Sequence, residues 1–143
     1  MNIKQMTIDD YDAVYALWTA SEGVGLRSID DSQQGIEKFL HRNPTSCFVA
    51  VKDDAVVGSI LCGHDGRRGY IYHAMVQENL RGNGIGKMLV KACMDALKVE
   101  GIHKSALVVY KTNELGNKFW ESIGFTLRED LNYRNMSLNE RNT

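Results

Sequence analysis

This chain is short of the residues that mark several whole classes of protein. It has a single proline, Pro44, and no internal repeat, low-complexity tract or shift in composition, so nothing marks a linker between domains. Its three cysteines, Cys47, Cys62 and Cys93, are odd in number and form no CxxC pair, which argues against a disulfide framework or a zinc site. Each sits among apolar neighbours, where cysteine serves as a small core residue. No apolar run approaches the ~20 residues that cross a bilayer, and no charged, apolar and small-residue leader precedes the fold. The expectation is a cytoplasmic protein with no membrane partner. A formal charge of −1 supplies no field toward nucleic acid, and aromatic and basic residues are not interleaved as a nucleic-acid groove requires. His41, His64 and His103 lack acids at ligand spacing, so no metal is expected, and no serine, histidine and aspartate arrangement supports a hydrolase.

What is present is ordinary globular material: 143 residues, 43% hydrophobic and 24% charged, enough for one domain over 1–143 with a filled core. Charge is spread unevenly. Asp9, Asp10, Asp12, Glu22, Asp30 and Asp31 face only Lys4 and Arg27 in the first 31 residues, whereas bases from Arg67 to Lys118 crowd a middle region poor in acids. That division suits an anionic ligand in the middle and a cationic one near the N-terminus, or is simply solvated surface.

Ile3 to Met6 reads as a first strand. Thr7 and the acids after it start a helix carrying Tyr11, Val14, Tyr15, Leu17 and Trp18 at helical spacing. A second helix runs from Ser32 toward Arg42 and stops before Pro44. "SCFVAV" and "AVVGSILCG" flank a turn at Asp53-Asp54 as an antiparallel hairpin, and "YIYHAMV" (70–76) makes a third strand of that meander. Helical periodicity returns over 84–100, with Gly101 as its stop. "SALVVY" (105–110) reads as a strand covered on both faces, Asn113 starts a helix that ends at Gly124, and Phe125–Arg128 and Tyr133–Leu138 read as two last strands. The fold class is a mixed α/β sheet with helices on both faces.

The stretch "NLRGNGIGKML" (79–89) places glycines at 82, 84 and 86 between the third strand and the long helix. A helix start exposes unpaired N–H groups with the positive end of the dipole behind them, which is a phosphate site, and glycine lets the ligand approach. The Walker pattern fails at Arg81 and Met88, and GxGxxG fails at Lys87. The pattern [QR]xxGx[GA] is met by Arg81-Gly82-Asn83-Gly84-Ile85-Gly86. Together with "AMVQENLRGNGIGKML" and, farther on, Asn113 and "FWESIGF" (119–125), it makes the whole chain resemble a Gcn5-related N-acetyltransferase (GNAT), of the small bacterial YpeA type.

The resemblance implies a mostly antiparallel splayed sheet of six to seven strands flanked by about four helices. It implies acetyl-CoA as co-substrate, with Ala74, Met75 and Val76 pairing the pantetheine arm, Arg81, Gly82, Asn83, Gly84, Ile85 and Gly86 donating to the pyrophosphate, and Asn113 touching coenzyme A or merely capping its helix. The acceptor is a primary amine of a small molecule or protein, and an edge-strand homodimer is left open. A catalytically weak acyl-CoA-binding module is the alternative. An amine of pKa ~10 costs ~4 kcal/mol to deprotonate at neutral pH, so a base belongs near it. The family's usual groups do not transfer: Trp120 replaces the proton-donating tyrosine, and Tyr70 and Val108 stand where glutamates would. Tyr72 and His73 remain as catalytic candidates, on opposite faces by simple alternation, with Tyr110 and Tyr133 as further donors. The segment "SEGVGLRSIDD" (21–31) shapes the acceptor site. Neutralising Glu22, Asp30 and Asp31 together is therefore expected to raise KM for a cationic acceptor in steady-state assays.

Overall fold

The computed structural model of the chain describes residues 1–21 and 24–143. Strand β1 (Asn2–Gln5) is followed by a 3-10 turn (Ile8–Asp10) in which the Asp10 carboxylate accepts the Thr7 amide at 2.9 Å, and helix α1 (Tyr11–Thr19) continues from it. Helix α2 (Gln33–Arg42) starts on the Ser32 hydroxyl, which accepts the Gly35 amide at 3.0 Å, and ends ahead of Pro44 as the sequence requires. The meander is β2 (Phe48–Lys52), β3 (Ala55–His64) and β4 (Gly69–Val76). Asp53 and Asp54 both adopt positive φ, 51° and 62°, the pair of values a tight hairpin turn with right-handed strand twist demands. Helix α3 (Ile85–Val99), β5 (Ser105–Leu107) and α4 (Glu114–Ser122) complete the order.

The strands lie in chain order, β1 to β5, antiparallel except for β4 with β5. Each face of the sheet has its own apolar layer. Ile85, Leu89, Cys93 and Leu97 of α3 pack with Ala50, Ile60, Cys62 and Ile71, and α4 leans Phe119, Trp120 and Ile123 against them. Val14 and Trp18 of α1 and Ile36 and Leu40 of α2 cover Val49 and Leu61 on the opposite face. All three cysteines are buried in these layers, and burial pushes the Cys47 thiol up to about 12. They are core residues, as their neighbours in sequence imply.

The end of the chain departs from expectation. Among the described residues the sheet has five strands rather than six or seven, and neither Phe125–Arg128 nor Tyr133–Leu138 pairs as a strand. A strand over 105–110 shortens to Ser105–Leu107, with Val108 and Tyr110 exposed rather than covered on both faces. Two other sets of contacts occur there instead. Arg128 grips Asp130 through two 2.8 Å hydrogen bonds, which turns the chain where a strand would have to continue. Beyond that, Arg141, Asn142 and Thr143 bond the backbone and side chains of Ser28 to Asp30 instead of β5.

One charged cluster ties the two ends of the core together. Glu100, just past α3, accepts the Thr45 hydroxyl at 2.7 Å and pairs with His64 at the end of β3. The Thr45 hydrogen bond, then His64, holds the Glu100 carboxyl below its ordinary 4.5. A carboxyl depressed by folding adds stability above its unfolded value and loses it as pH falls through the folded one. The melting temperature of the wild type is thus expected to fall more steeply below about pH 4.5 than that of Glu100→Gln, in paired thermal melts from pH 7 to pH 3.

Candidate active site

The site is built where β4 outruns its neighbour. Parallel pairing with β5 runs Gly69↔Ser105, Tyr70↔Ala106 and Ile71↔Leu107 and then stops. On the other edge β3 stays paired through Gly58↔Val76. Residues 72–76 therefore have one hydrogen-bonding edge with no strand on it. Unpaired backbone groups in a sheet need another partner. Ala74, Met75 and Val76, expected to pair a ligand's amide-bearing arm, lie on this open edge.

Beyond Val76 a 3-10 turn (Glu78–Leu80) leads into the glycine loop, and the chain enters α3 through Gly82 and Gly84 at φ +83° and +82°. A side chain at either would meet no atom, so their requirement is the left-handed backbone rather than space. Gly86 has a different reason: a Cβ there would stand 3.1 Å from Cζ of Phe119, so its bareness lets α4 close on α3. Among the described residues, no hydrogen bond is donated by the amides of residues 82–87, and α3 has no side-chain cap. The result is an open row of donors at the positive end of a fifteen-residue helix. Arg81 is not part of that row. Its amide donates to the Glu78 carbonyl, and its side chain donates to the Val76 carbonyl at 3.1 Å, locking the loop to β4. The Asn83 side chain donates to the Leu80 carbonyl at 3.0 Å, so it shapes the turn, while its amide and that of Ile85 join the open row.

Asn113 caps α4: its side-chain oxygen accepts the Gly116 amide at 2.9 Å, and its Nδ2 donates no hydrogen bond. Trp120 packs between Phe119 and Phe125 with ring centroids 5.0 and 5.2 Å away, half-buried against the α3 layer.

Tyr72 and His73 do not fall on opposite faces as alternation predicts. The β3–β4 register shifts so that Cys62 pairs with Ile71 but Leu61 pairs with His73, leaving Tyr72 as an extra residue. This bulge turns both side chains toward α1 and α2. Tyr72 stacks edge-on against Phe39 of α2 at 5.4 Å, and His73 against Trp18 of α1 at 4.9 Å. Tyr72 is 58% exposed, and its partial burial, then the nearby Tyr133 hydroxyl, push the phenol above its ordinary value. Tyr110 reaches the same side, its hydroxyl 3.9 Å from where a Cβ of Gly25 would sit.

The acidic loop is only partly available to an acceptor. Glu22 lies outside the described residues. Asp31 is buried, with one carboxylate oxygen 2.8 Å from Nε2 of His73 and the other accepting the Arg27 amide at 2.7 Å. Asp30 accepts the Asn142 side chain at 2.8 Å. Reading the sequence missed the Asp31–His73 pair, because 42 residues separate the partners and the bulge that brings them together has no signal of its own. A cavity of about 490 Å³ opens beside Asp31, lined also by Tyr11, Tyr15, Arg27 and Thr143. No cluster of potential metal ligands occurs among the described residues, and no helix there is long and apolar enough to cross a membrane.

Comparison with known proteins agrees with the fold. The model of the acetyltransferase (GNAT) family matches residues 11–125. An acetyltransferase of Pectobacterium atrosepticum is 31% identical over 125 residues, 87% of each chain. Ard1 from Thermoplasma volcanium has the same fold at a TM-score of 0.78 and 22% identity, over 89% of this chain and 83% of that one. The PaiA N-acetyltransferase from Thermoplasma acidophilum, solved with coenzyme A, gives 0.76 at 18%, over 89% and 90%.

The two roles of the loop glycines separate by mutation. Gly86→Ala is expected to cost about 1 kcal/mol by crowding Phe119, and Phe119→Leu in the same chain should return most of it. Gly82→Ala should cost about 1 kcal/mol through its backbone alone, with no such recovery when Phe119→Leu is added, in urea denaturation of the two single glycine variants and the two doubles.

Proposed function

The chain belongs to the acetyltransferase (GNAT) family, and from that premise we propose that it transfers the acetyl group of acetyl-CoA to a primary amine of a small molecule or protein. The observation that carries this reading is the juxtaposition of the two unsatisfied backbone surfaces: the open edge of β4 and the open amides of residues 82–87. A phosphate diester chain followed by an arm with its own amides has the complementary groups in the same order. The pyrophosphate takes the amides of Gly82 to Lys87, where backbone donors and helix dipole act together. The pantetheine arm continues along Ala74 to Val76 as an added strand. That alignment points the thioester at the bulge, toward Tyr72 and His73.

Chemistry then needs three things of this chain. The thioester carbonyl gathers negative charge as it is attacked, and a fixed amide of β4 stabilises that charge without reorganising. The amine arrives as an ammonium and must lose a proton, for which His73 is the base on the acceptor side of the sheet. The sulfur leaves as a thiolate, and the Tyr72 hydroxyl is the donor on the same face. Holding amine and thioester together supplies much of the rest by removing a bimolecular encounter. The bulge matters here because it places acid and base on one face, which strict alternation would have forbidden.

Calorimetry should give one binding event with acetyl-CoA, weakened at least about tenfold by Gly84→Val, which removes the left-handed turn and crowds the amides. Release of free thiol in the presence of a panel of amines should follow. Binding without thiol release across the panel would mean an acyl-CoA-binding module, and stabilisation by ATP or NAD but not by coenzyme A would mean a different phosphate ligand.

A further inference from the structure

His73 is not an isolated base. Its Nε2 lies 2.8 Å from Oδ1 of Asp31, with only 12% and 7% of the two side chains exposed. A carboxylate only accepts, so the proton of this contact sits on Nε2, and a neutral ring then carries its lone pair on Nδ1. That Nδ1 is buried and has no hydrogen-bond partner. Leaving a buried acceptor unpaired costs about 1–3 kcal/mol, a cost the fold could have avoided by letting water or a hydroxyl in. Trp18, the nearest polar-tipped neighbour, gives its N–H to Ser59 Oγ at 3.1 Å instead.

The fold also spends much of its local bonding on keeping Asp31 in place. The Tyr11 hydroxyl donates to the Asp31 carbonyl at 2.7 Å, and the Asp31 amide donates to the Arg27 carbonyl at 3.0 Å. Oδ2 of Asp31 accepts the Arg27 amide at 2.7 Å. The amides of Ile29 and Asp30 both donate to Oδ1 of Asn142 at 3.0 Å. Gly35 of α2 makes room for this segment, since a Cβ there would meet the carbonyl oxygens of Ile29 and Asp30 at 2.3 and 2.4 Å. A carboxylate whose every neighbour is fixed is a positioning device.

We propose that Asp31 is the positioning residue for His73: it holds the ring in the tautomer with Nε2 protonated, so that Nδ1 is the lone pair that receives the acceptor's proton. This rests on the reading of the chain as an acetyltransferase with His73 as base. Nδ1 is covered in this structure, so the arriving acceptor has to displace what covers it before its ammonium gives one proton to Nδ1. The freed nitrogen lone pair forms the bond to the thioester carbon, and the carbon–sulfur bond breaks with its electron pair on sulfur. Tyr72 gives its hydroxyl proton to the thiolate and is reprotonated by the second proton of the new amide nitrogen, and the imidazolium, countered by Asp31, returns its proton to solvent.

The decisive variant is Asp31→Asn. Its amide oxygen keeps the Arg27 amide, but its NH2 faces Nε2 and donates to it, which moves the ring proton to Nδ1 and removes the base without changing the packing. The expected result is a kcat about 100-fold lower with KM for acetyl-CoA within about twofold of wild type. Long-range 1H–15N correlation spectra should show His73 protonated on Nε2 in the wild type and on Nδ1 in the variant, and Asp31→Glu should recover part of the rate. A kcat within about threefold of wild type in Asp31→Asn would overturn the proposal, as would a rise in acceptor KM alone, which would make Asp31 an ammonium ligand. Wild-type His73 protonated on Nδ1 would overturn it even if the variant did not fold. His73→Gln separates the two layers: an undiminished rate there refutes His73 as base, whereas a lost rate beside a normal Asp31→Asn refutes only the positioning role.

Discussion

The rung between Ile71 and Leu107 is the last one that β4 shares with β5, and the rest of the site follows from its being the last. A strand edge inside a protein cannot leave its amides and carbonyls idle without cost. Here the edge beyond Ile71 stays open because β5 is only three residues long, and α3 begins just past the end of β4, so open strand edge and open helix start adjoin. Two sets of unsatisfied donors facing the same space make a better argument for a ligand than either would alone, because each has a bland explanation by itself. Arg81 reinforces the junction by tying the loop to the Val76 carbonyl. In this reading the residue that leads the glycine motif braces the cradle rather than gripping the ligand.

The bulge at Tyr72 does for side chains what the lost rung does for the backbone. A single extra residue changes which face the following side chains occupy. It brings His73 over to Trp18 and Asp31, on the side where α1, α2 and the 24–31 loop can shape an acceptor site, and leaves Tyr72 beside it against Phe39. In the proposed reading, the edge that takes the cofactor and the face that takes the acceptor belong to the same strand, β4. Three elements far apart in the chain, β4, the loop before α2 and the segment at 141–143, converge on Asp31 and its neighbours.

Much of this was legible before any coordinates. Helical and alternating periodicities placed α1 to α4 and β1 to β4 within a residue or two, because long amphipathic segments report their own environment. Arg81 to Gly86 singled out the loop, and its chain context identified the family. What the sequence concealed was set by interactions between distant residues. Alternation put Tyr72 and His73 on opposite faces, since nothing local announces a bulge. Asp31 read as one acid of an acceptor loop rather than as a partner of His73, because that partner is 42 residues away. The helix stop at Gly124 was visible, but the strands expected after it gave way to the Arg128–Asp130 turn and the contacts of Asn142, neither of which leaves a periodic trace. Gly35 was the one available hint: a poor helix former in the first turn of a helix, present because backbone lies against it.

The account stands or falls on where acetyl-CoA lies. Titrating it into uniformly 15N-labelled protein and following the backbone amides measures this directly. The largest shifts should fall on residues 74–76 and 82–87, with those of β1 and the β2–β3 turn unmoved. Shifts centred on any other surface, with those two segments silent, would contradict it.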